Sequence, residues 1–152
     1  MVRAGVILAF AAAPTVTFAD QPPSHLEVVT RAEQKMRAEV ASNCIDGNAM
    51  DQAACFKLHL EALDKELDEL VARAIRETDN MWGQPATDEQ RQNIKDTQAA
   101  WKTYRREHCW FDYVPHQWVN ASSRQLDNFA CEVWRTYLRM EEIRIDYMGD
   151  WR

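Results

Sequence analysis

Glycine and proline are scarce in this chain of 152 residues, at 4 and 5. Proline falls mainly between segments, and period-two alternation of apolar and polar residues is rare, which argues against strands. Beyond Ala13 no apolar run is long enough to cross a bilayer. Excess positive charge is missing too. With 18 Lys+Arg against 24 Asp+Glu the formal charge is −6, a poor balance for nucleic-acid binding. Acidity suits a cationic partner, because opposite charge speeds encounter, although it also serves solubility alone. There is no Gly-rich phosphate loop, no nucleophile elbow and no His-Glu-x-x-His. No enzymatic activity, catalytic residue, cofactor or metal is therefore expected. Carboxylate pairs such as Asp64 with Glu141 follow from abundance, and nothing in their spacing selects them.

What is present begins with an export pattern. Arg3 supplies a positive start, Ala4 to Ala13 is apolar, and Thr17-Phe18-Ala19 offers small residues where a signal peptidase reads. The expected division is a signal peptide over 1–19 and a single domain over 20–152, with its core at about 43–148. An uncut N-terminal anchor is the alternative. No cysteine follows the apolar run to carry a lipid. The expected location is periplasmic or secreted.

The rest reads as helices, giving an all-α fold: a small antiparallel bundle of three main helices plus an N-terminal one. The first is expected from Ser24, a capping residue, to Ala41, with Leu26, Val29, Ala32, Met36 and Val40 on one face. The second runs from Met50 to Thr78. Its Phe56, Leu60, Leu63, Leu67, Leu70 and Ala74 recur in steps of four and three, forming one seam. That seam fits an intramolecular bundle or a coiled-coil dimer, and the oligomeric state stays open. Thr87 and Gln90 form a reciprocal cap for the third helix, which is expected to reach Cys109. Its broad face carries Ile94, Trp101, Tyr104 and His108. Trp110 to Arg124 is the longest break. The fourth helix is expected from Gln125 to Met148, its stripe being Leu126, Ala130, Val133, Tyr137 and Met140, with Gly149 ending it.

Four cysteines behind an export signal point to crosslinks. Of three connectivities, neighbour pairing (Cys44–Cys55 and Cys109–Cys131) is the one expected, each bridge contributing about 3 kcal/mol. A metal site built from His108, Cys109, His116 and Cys131 is the rival, but this spacing matches no zinc pattern, and adjacent helical residues point about 100° apart.

The cassette Gln98-Ala-Ala-Trp101-Lys-Thr-Tyr104-Arg105-Arg-Glu-His-Cys109 resembles the N-terminal domain of the LprI family of lysozyme inhibitors. The resemblance extends to Cys44, Cys55, Asp64 and Leu67 before the cassette, and to Cys131, Thr136 and Arg139 after it. Asp68 stands where the family tends to have asparagine. The family's glycine-serine segment is replaced by Trp118-Val-Asn-Ala-Ser-Ser123. The resemblance covers roughly Asn43 to Tyr147. It implies a secreted protein that inhibits lysozyme.

Among the matched residues, Gln98, Trp101 and Arg105 share one helical stripe. One reading is a structural polar network of Asp64, Gln98, Trp101, Tyr104, Arg105, Thr136 and Arg139, with Arg105 paired to Asp64 or Asp68. The other is an exposed recognition patch or a site for small anions. The loop residues Trp110, Phe111, Tyr113, His116, Gln117 and Trp118, with Arg124, form either a packed lid or a partner-binding surface, since Trp and Tyr are common interface anchors. The expected partner is a protein such as a cationic lysozyme, whose cleft would be occluded. The alternative function is an envelope interaction or immunity protein with a different partner.

Overall fold

The computed structural model describes residues 22–40, 43–81, 85–112 and 120–149, with backbone alone for 78–81 and 112. The expected signal peptide lies outside them. Every element among the described residues is helical: α1 (His25–Val40), α2 (Ala49–Met81), α3 (Asp88–Glu107), a five-residue π-helical turn (His108–Asp112) and α4 (Ala121–Met148).

The helix ends follow local chemistry. Ser24 and Glu27 cap α1 reciprocally: the Ser24 N–H donates to Glu27 Oε2 (2.6 Å), and the Glu27 N–H donates to Ser24 Oγ (3.4 Å). Thr87 and Gln90 do the same for α3, as expected. Gly149 stops α4 in the left-handed region (φ 62°), where a Cβ would be strained.

Two boundaries differ from expectation. α4 begins at Ala121 rather than Gln125, because Asn120 caps it by accepting from the Ser123 N–H at 2.9 Å. Ser122, Ser123 and Arg124 thus belong to a helix. The α-helical part of α3 ends at Glu107, and Cys109 sits in the wider π turn. There Trp110 packs edge-on against Phe129 with ring centroids 5.4 Å apart.

The seam of α2 forms the core. Leu60, Leu63, Leu67, Leu70 and Ala74 are buried, with Phe56 packed beside them. Each fully buried leucine contributes about 2 kcal/mol. α4 answers with Val133, Tyr137, Met140 and Ile143. Leu126 and Ala130, expected on the same stripe, are half-buried. α2 and α4 make the most extensive contact, and α1 lies on α4. Side-chain pairs fix direction: His59 meets Tyr137, Glu66 meets Arg144, and Arg73 meets Met148, so α2 and α4 run parallel. α1 and α3 run opposite to them. The buried row of α1 is Val28, Ala32 and Val40, while Leu26 is 73% exposed. Steps of four from Val28 give that row, and Lys35 and Glu39, which reach α4, fix its rotation.

Both expected disulfides are present, Cys44–Cys55 and Cys109–Cys131, and no free cysteine remains. No described helix is long and apolar enough to cross a membrane.

Candidate functional site

α3 rests on the core through the half-buried Ile94 and Trp101, and polar chemistry supplies its buried contacts. Its only buried side chains are Gln98 and Arg105. It touches α2 and α4 lightly. An amphipathic helix ordinarily docks through its apolar face, so Arg105 carries unusual structural weight here.

Arg105 is 5% exposed. Its Nη1 donates to Asp64 Oδ1 (2.7 Å) and to Thr136 Oγ1 (2.7 Å), and its Nη2 donates to Asp64 Oδ2 (3.0 Å). This two-pronged geometry is the strong form of an arginine–carboxylate pair. Thr136 accepts from Arg105 while donating its own hydroxyl proton to the Glu132 carbonyl at 2.7 Å. Arg105 Nε lies 3.2 Å from Glu132 Oε2 but outside hydrogen-bonding geometry, so that contact is electrostatic. Glu132 also accepts from the Trp110 indole N–H at 2.5 Å. One guanidinium thereby joins α2, α3 and α4, and through Glu132 reaches the π turn.

Trp101 lies between two cations, with Arg105 5.4 Å and Arg139 5.9 Å from its ring. Such contacts are worth about 0.5–1 kcal/mol each at exposed sites and more when desolvated. Arg139 donates to Gln98 Oε1 at 3.4 Å and to Glu142 Oε2 at 3.1 Å. Asp68 takes Lys102 at 2.6 Å, leaving Asp64 to Arg105 and resolving the expected choice between them. Tyr104 departs from expectation. It is 52% exposed and stacks on His108 at 5.6 Å, because its position on α3 turns it away from Gln98 and Arg105.

Three polar junctions escaped the sequence reading. Glu132 and Asn128 are buried on α4. Asn128, with its amide nitrogen turned inward, donates to the Cys109 carbonyl (3.0 Å) and the Arg124 carbonyl (3.2 Å), securing the π turn. Stepping back by four from Thr136 finds both residues. A second junction joins α1, α2 and α4. Tyr137 donates its hydroxyl to Glu39 Oε2 (2.6 Å), and His59 Nε2 meets the same hydroxyl at 2.7 Å, which assigns the Nε2–H tautomer. Burial, reinforced by Glu39, raises the Tyr137 hydroxyl far above its ordinary value. In the third, Glu141 accepts from Lys35 and from Arg144, the latter at 2.7 Å.

Of the expected loop, Tyr113, His116, Gln117 and Trp118 lie outside the described residues. Trp110 is half-buried against α4, Phe111 is 59% exposed, and Arg124 is half-buried in the first turn of α4. Among the described residues no three His, Cys, Asp or Glu side chains group to hold a metal ion.

Fold and site together define a class: an all-helical scaffold stapled by two disulfides and organised around a buried arginine. The chain belongs to the LprI family, whose profile, described as Lysozyme inhibitor LprI, matches residues 31–143. Neither a curated protein nor a solved structure matches the chain.

Proposed function

We propose that the protein is an exported lysozyme-inhibitor-type binding protein that blocks a cell-wall glycosidase by covering its cleft and performs no catalysis itself. The family match carries this reading. The two disulfides suit the oxidising space outside the cytoplasm. Lysozymes work through two carboxylates in an open cleft, so an inhibitor has only to fill it or cap its mouth.

The contact surface we assign is the end of the molecule where α3 passes into the π turn. Tyr104 and Phe111 are exposed there, and His108 stacks on Tyr104. The Cys109–Cys131 bridge and the Trp110–Glu132 bond hold the backbone beneath them. Rigid aromatic anchors lose little freedom on association. Arg124, in the first turn of α4, is the candidate donor to a carboxylate. The formal charge of −6 favours encounter with a basic enzyme.

The test is protection of cell-wall substrate from hen-type, invertebrate-type and goose-type lysozymes in parallel. At least one should be inhibited at micromolar protein. The double variant Tyr104→Ala/Phe111→Ala should weaken inhibition about tenfold or more, as loss of an anchor costs upwards of 1 kcal/mol, with helical content unchanged. Full activity of all three enzymes would sink the reading.

A further inference from the structure

α3 carries Lys95, Gln98 and Lys102 at i, i+3 and i+7, a single stripe. Across from them α2 presents Val71, Ala72 and Ile75, and between the two helices lies an open groove of about 300 Å³. The helices are antiparallel. The Lys102–Asp68 ion pair (2.6 Å) therefore marks one end, and Lys95 with Ile75 marks the other. At the helical rise the groove spans about 10 Å. Its walls are mainly apolar.

Gln98 forms its floor. The residue is 6% exposed, and its Nε2 has no hydrogen-bond partner among the described residues. An orphaned buried donor costs about 1–3 kcal/mol, and native structures rarely carry one without a use. Among the described residues its Oε1 accepts only the long 3.4 Å bond from Arg139, and the terminal torsion of glutamine is broad, so turning Nε2 toward the groove gives up one weak contact for a charged acceptor. The void on the other side of Gln98 and Val71 is about 10 Å³, too small for an organic group. Lys102 is committed to Asp68, whereas Lys95 makes no ion pair among the described residues. One turn separates Lys95 from Gln98, so both can reach one anion.

We propose that this groove binds a free aliphatic carboxylate about the size of octanoate. The carboxylate accepts from Gln98 Nε2 and pairs with Lys95, and the alkyl chain lies along Val71, Ala72 and Ile75. An uncommitted lysine facing an apolar wall, with a buried donor between them, is complementary to that ligand and to neither a neutral alkane nor a polar sugar. The proposal does not depend on lysozyme binding and stands or falls separately.

The test titrates the ¹⁵N-labelled, disulfide-intact protein with sodium octanoate, followed by NMR. Saturable shifts are expected in the Gln98 side-chain amide pair and in the backbone amides of 71–75 and 95–102. Ala72 is exposed, so Ala72→Trp should keep the fold, fill the groove and abolish binding. Gln98→Met removes the donor at similar volume and should weaken binding about tenfold, the worth of a hydrogen bond to a charged group. Octanol should bind about tenfold more weakly than octanoate for the same reason. Absence of saturable shifts at millimolar octanoate overturns the proposal, as does binding untouched by Ala72→Trp, or octanol binding as tightly as octanoate.

Discussion

Arg105 shows how a single buried charge can reinforce a thin hydrophobic face, here the half-buried Ile94 and Trp101 of α3. Its charge is buried beside Asp64 and Glu132, and Thr136 accepts a further hydrogen bond from Nη1. Removing one partner of such a pair strands the other, at a cost of about 3–5 kcal/mol. Arg105→Ala should therefore lower unfolding stability by that amount in denaturant titration. Arg105→Lys should recover only part of it, because a point ammonium cannot make the two-pronged contact with Asp64. An equal loss for Thr136→Val and Arg105→Ala would show that the charge is not the cause. That Arg105 pairs with an aspartate of α2 was legible in the sequence, through the cassette that carries it and the aspartates before it, but Asp64 and Asp68 were equal candidates until the structure gave Asp68 to Lys102. Glu132 was not legible, because one acidic residue on a helix rich in them carries no mark of burial. Only the approach of Trp110 and Arg105 from other elements makes its environment special.

At the scale of elements, α3 differs from its neighbours. α2 and α4 share a continuous apolar interface, whereas α3 buries only Gln98 and Arg105 and is stapled through Cys109. The bridge spans a sequence separation of 22, for which the loop-entropy model gives about 3 kcal/mol. The Cys109→Ser/Cys131→Ser variant should thus open α3 before the rest. Amide exchange should quicken across Asp88–Glu107 while the central turns of α2 and α4 stay protected. Uniform acceleration over all four helices would contradict this division. The α2 seam and the Thr87 cap could be read from spacing alone. The early start of α4 was missed because Asn120-Ala-Ser-Ser looks like loop chemistry, and serine is neutral enough to continue a helix once a cap is in place. The π turn was missed because its cause is distant: Cys109 must reach Cys131, and Asn128 must reach the Cys109 carbonyl.

For the molecule as a whole, stability should depend on acid through the junction of α1 with α4. Burial pushes the Glu141 carboxyl up, but Lys35 and Arg144 outweigh it and hold the group below its ordinary value of 4.5. A depressed folded value means that the stabilisation is complete above the unfolded value and is lost as pH falls through the folded one. Thermal stability should decline on acidification below about pH 4.5. Glu141→Gln should be less stable near neutrality and lose less on acidification, and identical slopes for the two proteins would exclude Glu141 as the source. By itself the sequence determined the helices, the seam, the cap at Thr87 and the cysteines available to pair, because each rests on periodicity or on chemistry within a few residues. The tertiary structure decided that α2 and α4 run side by side in parallel, which face of α1 is buried, and which of many carboxylates Arg105, Tyr137 and Lys35 select. Those choices arise from contacts between elements far apart in the chain, where burial rather than residue type sets the strength of a charge.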